Sequence, residues 1–500
     1  MCIFSFDFKN SNSKLIFKLM NLTKYILFFL LIFSIKNTSE AQKYVPKEGV
    51  EKDLGVLITL FEKYHPGIYF YQSKFDLEDK YGKLKQNLAD SLTPYQSYNA
   101  IYQAVAEIHD LHTSVSLPKK IKAKNPKLFP FILKRFGNDF FVHYNLSSDT
   151  TIIRTCQIKS INGEPIYTVY LKMQQLYGTD NSNAISKIYY AEKAFGNYYN
   201  TLYGHQDSLK ISLKIHPDSL EKTKTIATVT TKDLNLTLKN RYKNATRSNM
   251  GFKVLDSLNR IAKLDITSFS YKANKLDVSE RKFKKTIKLK FKEIEKNKIE
   301  HLILDLRANG GGYIPNVGRL TKYIANEPFK LIDSMYFKPK TFKKIFPFYT
   351  IFPPLVGKIL FKKGSDGNFY LNKFRKRPIK LSKKHSFKHN LYILMDGGSY
   401  SATTFTIGLM RDMQRATFIG TRPGGANWGS FAGSWQIFTL PNTKMKVRIP
   451  LYKIVHAQKN KIVSDFFVEP DYYVESNFED FKNRSDSQLK FALNLIRTKK

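Results

Sequence analysis

Residues 391–412 read LYILMDGGSYSATTFTIGLMRD, and this stretch decides the fold prediction. An apolar run at 391–395 meets two glycines and two serines, and residues 402–413 then follow helical spacing. The order predicts a buried strand, a tight turn and a helix that starts just after Ser401. The helix dipole favours developing negative charge at a serine in that position. Helix capping by Ser399 or Ser401 is the competing interpretation, because serine commonly caps helices.

A second strand and glycine turn lies upstream at residues 301–312, HLILDLRANGGG. Consecutive glycines let backbone N–H groups approach a ligand closely. Such N–H groups stabilise an oxyanion or a phosphate. The string is not GxGxxG and lacks the Lys-Ser/Thr of a phosphate loop, which disfavours nucleotide binding. A plain strand-to-helix turn remains an equally good explanation of this string alone.

The remaining pattern divides the chain into regions. Apolar spacing predicts a helical region over 42–125, and alternating runs with an Asn162-Gly163 turn predict a β-rich domain over 126–245. Strand-like runs separated by helical ones predict an α/β domain with a mainly parallel sheet over 246–500. The strands predicted in that domain are 261–266, 302–306, 391–395, 417–420 and 446–449.

Residues 1–41 have the order of a secretory signal peptide. Lysines precede an apolar run at 25–35, and Ser39-Glu40-Ala41 places small residues before a cut at Gln42. The run is too short to span a bilayer as a helix, which needs about 20 residues. We therefore expect an exported protein, periplasmic or extracellular, and an uncleaved anchor is the alternative. Met20 offers a second start site.

Composition narrows the function classes. The 500 residues are 42% hydrophobic and 25% charged, which is typical of globular domains. Only two cysteines occur, so a disulfide framework and a Cys-rich zinc site are excluded. His109-x-x-His112 lacks a third ligand cluster, so we expect no metal.

The net charge is 82 − 41 = +41, and part of it is concentrated in one predicted insertion, residues 338–390. That segment has fifteen Lys/Arg residues and a single acid, Asp366, and several prolines that break any long amphipathic helix. No nucleic-acid motif is present, and export argues against DNA. The insertion therefore predicts an exposed lid or a patch that faces an anionic membrane or envelope surface.

Six strings in this order resemble the C-terminal-processing, or tail-specific, serine peptidase family, whose catalytic core also occurs in the tricorn protease. One of them alone would be weak evidence, whereas six in sequence are specific. They are AEIHDLHTSV (106–115), IKSINGEPI (158–166), LILDLRANGGG (302–312), GGSYSATTF (397–405), RATFIGTRPGG (415–425) and VEPDYYVE (468–475).

This resemblance implies an α/β fold with a ClpP/crotonase-like catalytic core, an N-terminal helical region and a PDZ-like β-rich domain. It implies Ser401 as the nucleophile, with oxyanion N–H groups from Gly311 or Gly312 and Ala402. It also implies peptide or protein substrates and no cofactor.

The general base is less directly indicated. One branch of the family uses a Lys shortly after the glycine loop, but residues 424–428 read GGANW. Lys444 and Lys446 lie in a predicted hairpin beyond it. The tricorn-like branch uses a His that matches His112, whose ordinary pKa of about 6.5 suits a general base. His109 is the competitor.

The third catalytic member departs from the family pattern. Asp110 is placed to orient His112, and Asp465 stands near the position where the tricorn-like branch has a Glu. Leu111 replaces the family's orienting Ser, and Thr404 replaces the Glu after the nucleophile.

The function that follows is an exported serine endopeptidase that cleaves unstructured or C-terminal peptide segments. In this hypothesis Gly424, Gly425 and Trp428 contribute to the substrate groove; for Trp428, ordinary packing is equally well supported. The alternative is a catalytically impaired pseudo-peptidase that acts as a secreted peptide-binding protein, which the departures above favour. The retained Ser401, His112 and glycine turn favour the enzyme.

Overall fold

The computed structural model describes residues 44–121, 125–181, 183–215, 219–242, 245, 247–341, 361–372, 378–458 and 467–498. The predicted signal peptide and Asp465 lie outside these residues, as does much of the basic segment 338–390.

Three helices form the N-terminal region, as the sequence predicts. The first helix ends at His65. The third helix begins with Pro94, and Thr93, the residue before it, forms a capping box with Gln96. The helices pack on one another through an apolar core. The elements are β1 (Val45–Pro46), α1 (Lys47–Tyr64), α2 (Lys74–Gln86), β2 (Ser91–Leu92), α3 (Pro94–Ala106) and β3 (Ser114–Ser116).

The middle region is an antiparallel sheet with helices packed against it. Asn162 and Gly163 both have positive φ and form the predicted turn between β7 and β8. The elements are β4 (Lys127–Leu128), β5 (Phe131–Phe136), β6 (Asp139–Asn145), β7 (Gln157–Ile161), β8 (Glu164–Pro165), α4 (Ile166–Gln175), α5 (Ala184–Lys193), α6 (Phe195–Tyr203), β9 (Ser208–Lys214), β10 (Lys222–Ala227), β11 (Val229–Thr230) and α7 (Thr231–Arg241). The sheet order is β10-β9-β7-β6-β5, with β8 paired to β7.

The C-terminal region contains two six-stranded sheets. Its elements are β12 (Phe252–Asp256), β13 (Ile261–Asp265), α8 (Arg281–Lys296), β14 (His301–Asp305), α9 (Ile314–Ile324), β15 (Ile332–Phe337), β16 (Phe361–Lys363), β17 (Phe369–Leu371), β18 (Asn390–Met395), α10 (Ala402–Asp412), β19 (Thr417–Gly420), β20 (Gly429–Thr439), β21 (Lys446–His456), β22 (Tyr472–Tyr473), α11 (Phe478–Lys482) and α12 (Ser487–Thr498).

The first sheet has the order β12-β13-β14-β18-β19-β22 and is parallel from β13 onward. Helices cover both faces: α8, α9 and α10 belong to the core on one side, and α12 packs on the other. Helix α8 packs on the sheet through one apolar face. Its residues Phe283, Ile287, Phe291 and Ile294 recur at helical spacing and are all buried. The predicted α/β class with a mainly parallel sheet is confirmed.

The second sheet has the order β16-β17-β15-β21-β20 and is antiparallel. The described part of the basic segment supplies its edge hairpin, β16 and β17. Strand β3 from the N-terminal region pairs with the long strand β21, so that Ser114 lies opposite Arg448. This pairing joins the N-terminal region to the C-terminal one just after His112.

Candidate active site

Strand β18 and helix α10 are joined by a turn in which two serines have different surroundings. Ser399 Oγ donates to the carbonyl of Leu306 (2.8 Å) and accepts from the N–H of Asp396 (3.1 Å), so its hydroxyl holds the turn together. Ser401 has φ 56° and ψ −125°, a conformation that L-residues rarely adopt. Its side chain makes no capping bond to α10. The structure therefore places Ser401 where its Oγ is available to another group.

The glycine turn after β14 packs directly against this serine turn. The Asn309 carbonyl accepts from the Tyr400 N–H (3.1 Å) and from the Thr403 hydroxyl (2.8 Å). Gly311 has φ 93°, and a Cβ there would lie 2.8 Å from both Ala402 N and Ser401 Cβ. Only glycine permits this close approach.

The three N–H groups expected at an oxyanion differ in their hydrogen bonding. The Gly311 N–H donates to Asn309 Oδ1 at 3.0 Å and is therefore already engaged. Ala402 is the first residue of α10, so its N–H has no acceptor within the helix. Gly312 has φ 141°, and a Cβ there would meet Ser270 N at 2.4 Å.

His112 reaches the serine turn from the segment between α3 and β3. Its Nε2 lies 3.1 Å from Ser401 Oγ, a hydrogen-bond distance between residues 289 positions apart. His109, the competing base, lies instead beside Lys80, with Nε2 3.4 Å from the ammonium, and beside Glu107. Lys444 Nζ donates to the Pro441 carbonyl.

Asp110 lies buried behind His112 and collects several donors. Its carboxylate accepts from the His112 N–H (2.9 Å), the Thr113 hydroxyl (2.5 Å) and His65 Nε2 (3.2 Å). His65 Nδ1 accepts from the Gly67 N–H, which leaves the imidazole proton on Nε2, facing Asp110. His112 Nδ1 lies 3.5 Å from Asp110 Oδ1.

These contacts shift the pKa values of the pair in opposite directions. Burial raises the pKa of Asp110, but the bonds from His112 and His65 outweigh it and hold that pKa well below its usual range. Burial lowers the pKa of His112, but the Asp110 and Asp180 carboxylates outweigh it and raise that pKa above its ordinary value. Asp110 is therefore ionised at neutral pH, and it stabilises a protonated His112.

Asp180 is a second carboxylate at the site, and the sequence gives no motif that marks it. It is buried, and it accepts from the Ala426 N–H (3.1 Å) and, at 3.5 Å, from the Leu111 N–H. Burial raises the pKa of Asp180 to about 6, Asp110 adds to the rise, and His112 opposes it. Asp180 thus links the loop of His112 to the glycine loop after β19.

That glycine loop lies against the serine turn. The N–H groups of Gly424 (2.9 Å) and Gly425 (3.4 Å) donate to the Ser399 carbonyl, and a Cβ on Gly425 would lie 3.0 Å from Ser401 N. Trp428 Nε1 donates to the Tyr71 hydroxyl at 2.8 Å.

The Trp428 ring belongs to an aromatic cluster that reaches the His112 side of the site. It packs on Phe70 and Phe431, with ring centroids 4.5 and 5.2 Å away, and Phe431 also contacts His65 at 4.8 Å. The Lys453 ammonium lies 3.7 Å from the Phe70 centroid, and burial lowers its pKa to about 8.

Two further properties concern the described residues as a whole. Their His, Cys, Asp and Glu side chains form no group of three or more that is placed to hold a metal ion. None of their helices combines the length and the apolar character needed to cross a membrane.

Comparison with known proteins relates part of this chain to a family. Residues 260–474 match the model of peptidase family S41. None of the curated proteins compared with the chain matches it. The match covers β13 to β22 and includes both turns around Ser401.

Solved structures are similar over most of the chain at low sequence identity. Mature CPAF complexed with lactacystin is 12% identical, covers 90% of this chain and 98% of its own, and superposes with a TM-score of 0.62. A putative peptidase from Parabacteroides merdae is 15% identical, with coverages of 89% and 96% and a TM-score of 0.45. The tricorn protease is 14% identical, with coverages of 90% and 37% and a TM-score of 0.38.

Proposed function

Since the chain belongs to peptidase family S41 and is a serine-type peptidase, we propose that it is an endopeptidase with Ser401 as nucleophile and His112 as general base. The observation that carries the proposal is the 3.1 Å distance between His112 Nε2 and Ser401 Oγ. A serine hydroxyl is a weak nucleophile until a base takes its proton.

In this mechanism Ser401 Oγ attacks the carbonyl carbon of a peptide bond while its proton passes to His112 Nε2. Nε2 accepts that proton only if the neutral ring carries its hydrogen on Nδ1, the atom that faces Asp110. His112 then returns the proton to the leaving amine, and an acyl-enzyme remains. Water, deprotonated by His112, attacks the acyl carbon, and His112 then gives the proton to Ser401 Oγ as its bond to the acyl carbon breaks and the acid leaves.

The oxyanion of the tetrahedral intermediate needs donors beside Ser401. We assign this role to the Ala402 N–H, at the start of α10, together with the Gly312 N–H. The Gly311 N–H is already bonded to Asn309 Oδ1, so Gly311 contributes instead by its lack of a Cβ, which lets the two turns touch.

Asp110 serves as the residue that orients His112 and stabilises the imidazolium. Its burial and its bonds from His65 and Thr113 support this role, since they fix the carboxylate before substrate arrives. Asp465, the other candidate from the sequence, lies outside the described residues.

The finer features rest on the sequence. We propose that the substrates are unstructured or C-terminal peptide segments, that residues 1–41 direct export to the periplasm or beyond, and that 126–245 is PDZ-like. Gly424, Gly425 and Trp428 would line the groove, and the basic segment 338–390 would face anionic envelope components.

Replacement of the nucleophile tests the proposal. Ser401→Ala should reduce kcat/KM for an unstructured, quenched fluorescent peptide by at least about 10⁴-fold. It should also abolish labelling by a fluorophosphonate. Ser257→Ala, an exposed turn position, is the matched control and should retain activity.

The two other outcomes are informative. Equal cleavage by Ser401→Ala and the wild type would refute the assignment. A wild type that binds the peptide without cleavage or labelling would support the alternative of a peptide-binding pseudo-peptidase.

A further inference from the structure

A cavity that Ser401 does not line lies where the middle region meets the C-terminal segment. Its volume is about 730 Å³, within the range of small-molecule sites. Five basic side chains line it: Lys134, Arg154, Arg241, Arg307 and Arg484. The one acid among the lining residues is Asp486.

Two of these cations are already neutralised. Lys134 Nζ lies 2.9 Å from a Glu192 carboxylate oxygen, and Arg307 is paired with Asp305 and Asp486 at 2.7 Å. The unpaired positive charge of the cavity therefore lies on the other three side chains, all of them arginines.

Arg154, Arg241 and Arg484 have no carboxylate partner among the described residues. Arg154 donates to the Phe481 carbonyl (2.8 Å), and Arg241 donates to backbone carbonyls at Asn145 and Ser147. Bonds to neutral carbonyls leave the positive charges uncompensated. Burial, and then the charge of Arg484 among others, lowers the pKa of Arg154, so the two guanidinium groups repel each other.

The cavity wall also holds two buried nitrogen atoms without hydrogen bonds to the described residues, Arg154 Nε and His143 Nδ1. Buried nitrogen atoms in folded proteins usually bond to protein, to water or to a ligand, so both atoms are free to bond to a group in the cavity. Burial, followed by the charges of Arg154 and Lys134, lowers the pKa of His143 to about 3, so its ring is neutral. A neutral ring presents either an acceptor or a donor at Nδ1.

We propose that this cavity binds a small polyanion that carries two or more phosphate or carboxylate groups. Guanidinium groups bind such oxyanions through paired, charge-assisted hydrogen bonds. An oxyanion beside Arg154 accepts from Nε, and a polyanion compensates the three positive charges. The site shares one segment with the catalytic centre, because Arg307 lines the cavity and Gly311, four residues later, contacts Ser401.

Titration calorimetry of the whole protein tests the site. Sodium tripolyphosphate and citrate, the probes for the two kinds of group, are titrated separately in low salt. We expect saturable binding of at least one probe, and a weakening of about tenfold or more in Arg154→Gln and in Arg484→Gln. Arg484 is exposed, and its side chain forms no hydrogen bond among the described residues. We therefore expect Arg484→Gln to fold, and it still tests the site if Arg154→Gln does not fold.

The control is a second basic cluster in the C-terminal region, which shares no lining residue with the cavity. Lys383 and Lys384 line a smaller, open depression there and are exposed. Lys383→Gln/Lys384→Gln should bind both probes as the wild type does. The stronger probe then identifies the group as phosphate or carboxylate.

Two results would overturn the proposal: no saturable binding of either probe at low salt, or equal weakening in the control and in Arg484→Gln. The readout is binding and not hydrolysis, so it is independent of whether Ser401 is the nucleophile.

Discussion

Asp110→Asn probes the electrostatic arrangement of the proposed site without a change in side-chain shape. In the wild type a protonated His112 has its Nδ1 3.5 Å from Asp110 Oδ1. Two unit charges at that distance interact by about 5 kcal/mol at an effective dielectric constant of about 20. Loss of that interaction in the transition state should lower kcat/KM on the order of 10³-fold.

The substitution also changes the pH profile. The carboxylate of Asp110 raises the pKa of His112, whereas burial lowers it. Without the carboxylate, burial prevails and the pKa of His112 falls. In the proposed mechanism activity requires neutral His112, so the acidic limb of the kcat/KM profile should move to lower pH even as the plateau falls.

Stability should change as well. An Asn side chain offers one acceptor and one donor group, where His65 Nε2–H, the Thr113 hydroxyl and the His112 N–H all need acceptors. We expect a loss of about 1–3 kcal/mol in the free energy of unfolding. Circular dichroism must show that the variant is folded under the assay conditions.

The assay is hydrolysis of the quenched peptide from pH 5 to 9, with Asp79→Asn as control. Asp79 forms an exposed ion pair with Lys83, so its variant should keep both the rate and the profile of the wild type. A folded Asp110→Asn enzyme with a rate within threefold of the wild type, or with an unmoved acidic limb, would refute the role of Asp110.

Two further substitutions have defined outcomes. Asp180 has a folded pKa of about 6, above that of an unfolded Asp, so its ionisation costs stability as pH rises from 4 to 6. From pH 4 to pH 6 the free energy of unfolding of Asp180→Asn, measured by urea denaturation, should therefore rise by up to about 3 kcal/mol relative to that of the wild type. The acidic limb of its activity profile should also move to lower pH, because His112 loses a neighbouring negative charge. Gly311→Ala should lower kcat by at least about 10²-fold, with little change in KM, because its Cβ would displace Ala402 and Ser401, the proposed nucleophile. Gly137→Ala is its control, since Gly137 also has positive φ (60°), but a Cβ at that position would meet no other atom within 4 Å.

Local sequence predicts the parallel sheet well. Strands β13, β14, β18 and β19 match the expected runs to within one residue at each end, because a strand covered on both faces reads as a short, continuous apolar run. The strand predicted at 446–449 is present as well. Its extension to His456 and its place in the second, antiparallel sheet depend on pairing with distant strands.

The middle region shows where local pattern is insufficient. Its alternating runs predict strands, but α5 and α6 also lie there. These helices are rich in tyrosine, a residue that favours strands in propensity scales. Packing of Phe195, Tyr198 and Tyr199 into the core of this region stabilises a helix despite that preference.

The site combines residues that the sequence marks and residues that it does not. The local pattern marks Ser401 only as the serine at the start of a predicted helix, and the roles of Ser401 and His112 are implied by the resemblance to a family. The pattern around His65 indicates only the end of a helix, and Asp180 stands in no motif. His65 matters because it contacts Asp110, 45 residues away in the sequence. Asp180 matters because it bonds to the loops that hold His112 and Ala426. No local pattern contains such long-range contacts.

The position of His112 relative to Ser401 depends on long-range sheet pairing more than on the N-terminal helices. Strand β3 begins two residues after His112 and pairs with β21, and β21 belongs to the same region as the serine turn. Asp180 fixes the other side of the loop through Leu111 and Ala426. Both contacts link His112 to the C-terminal region, which also holds Ser401. The short distance between His112 Nε2 and Ser401 Oγ is therefore a property of the assembled chain.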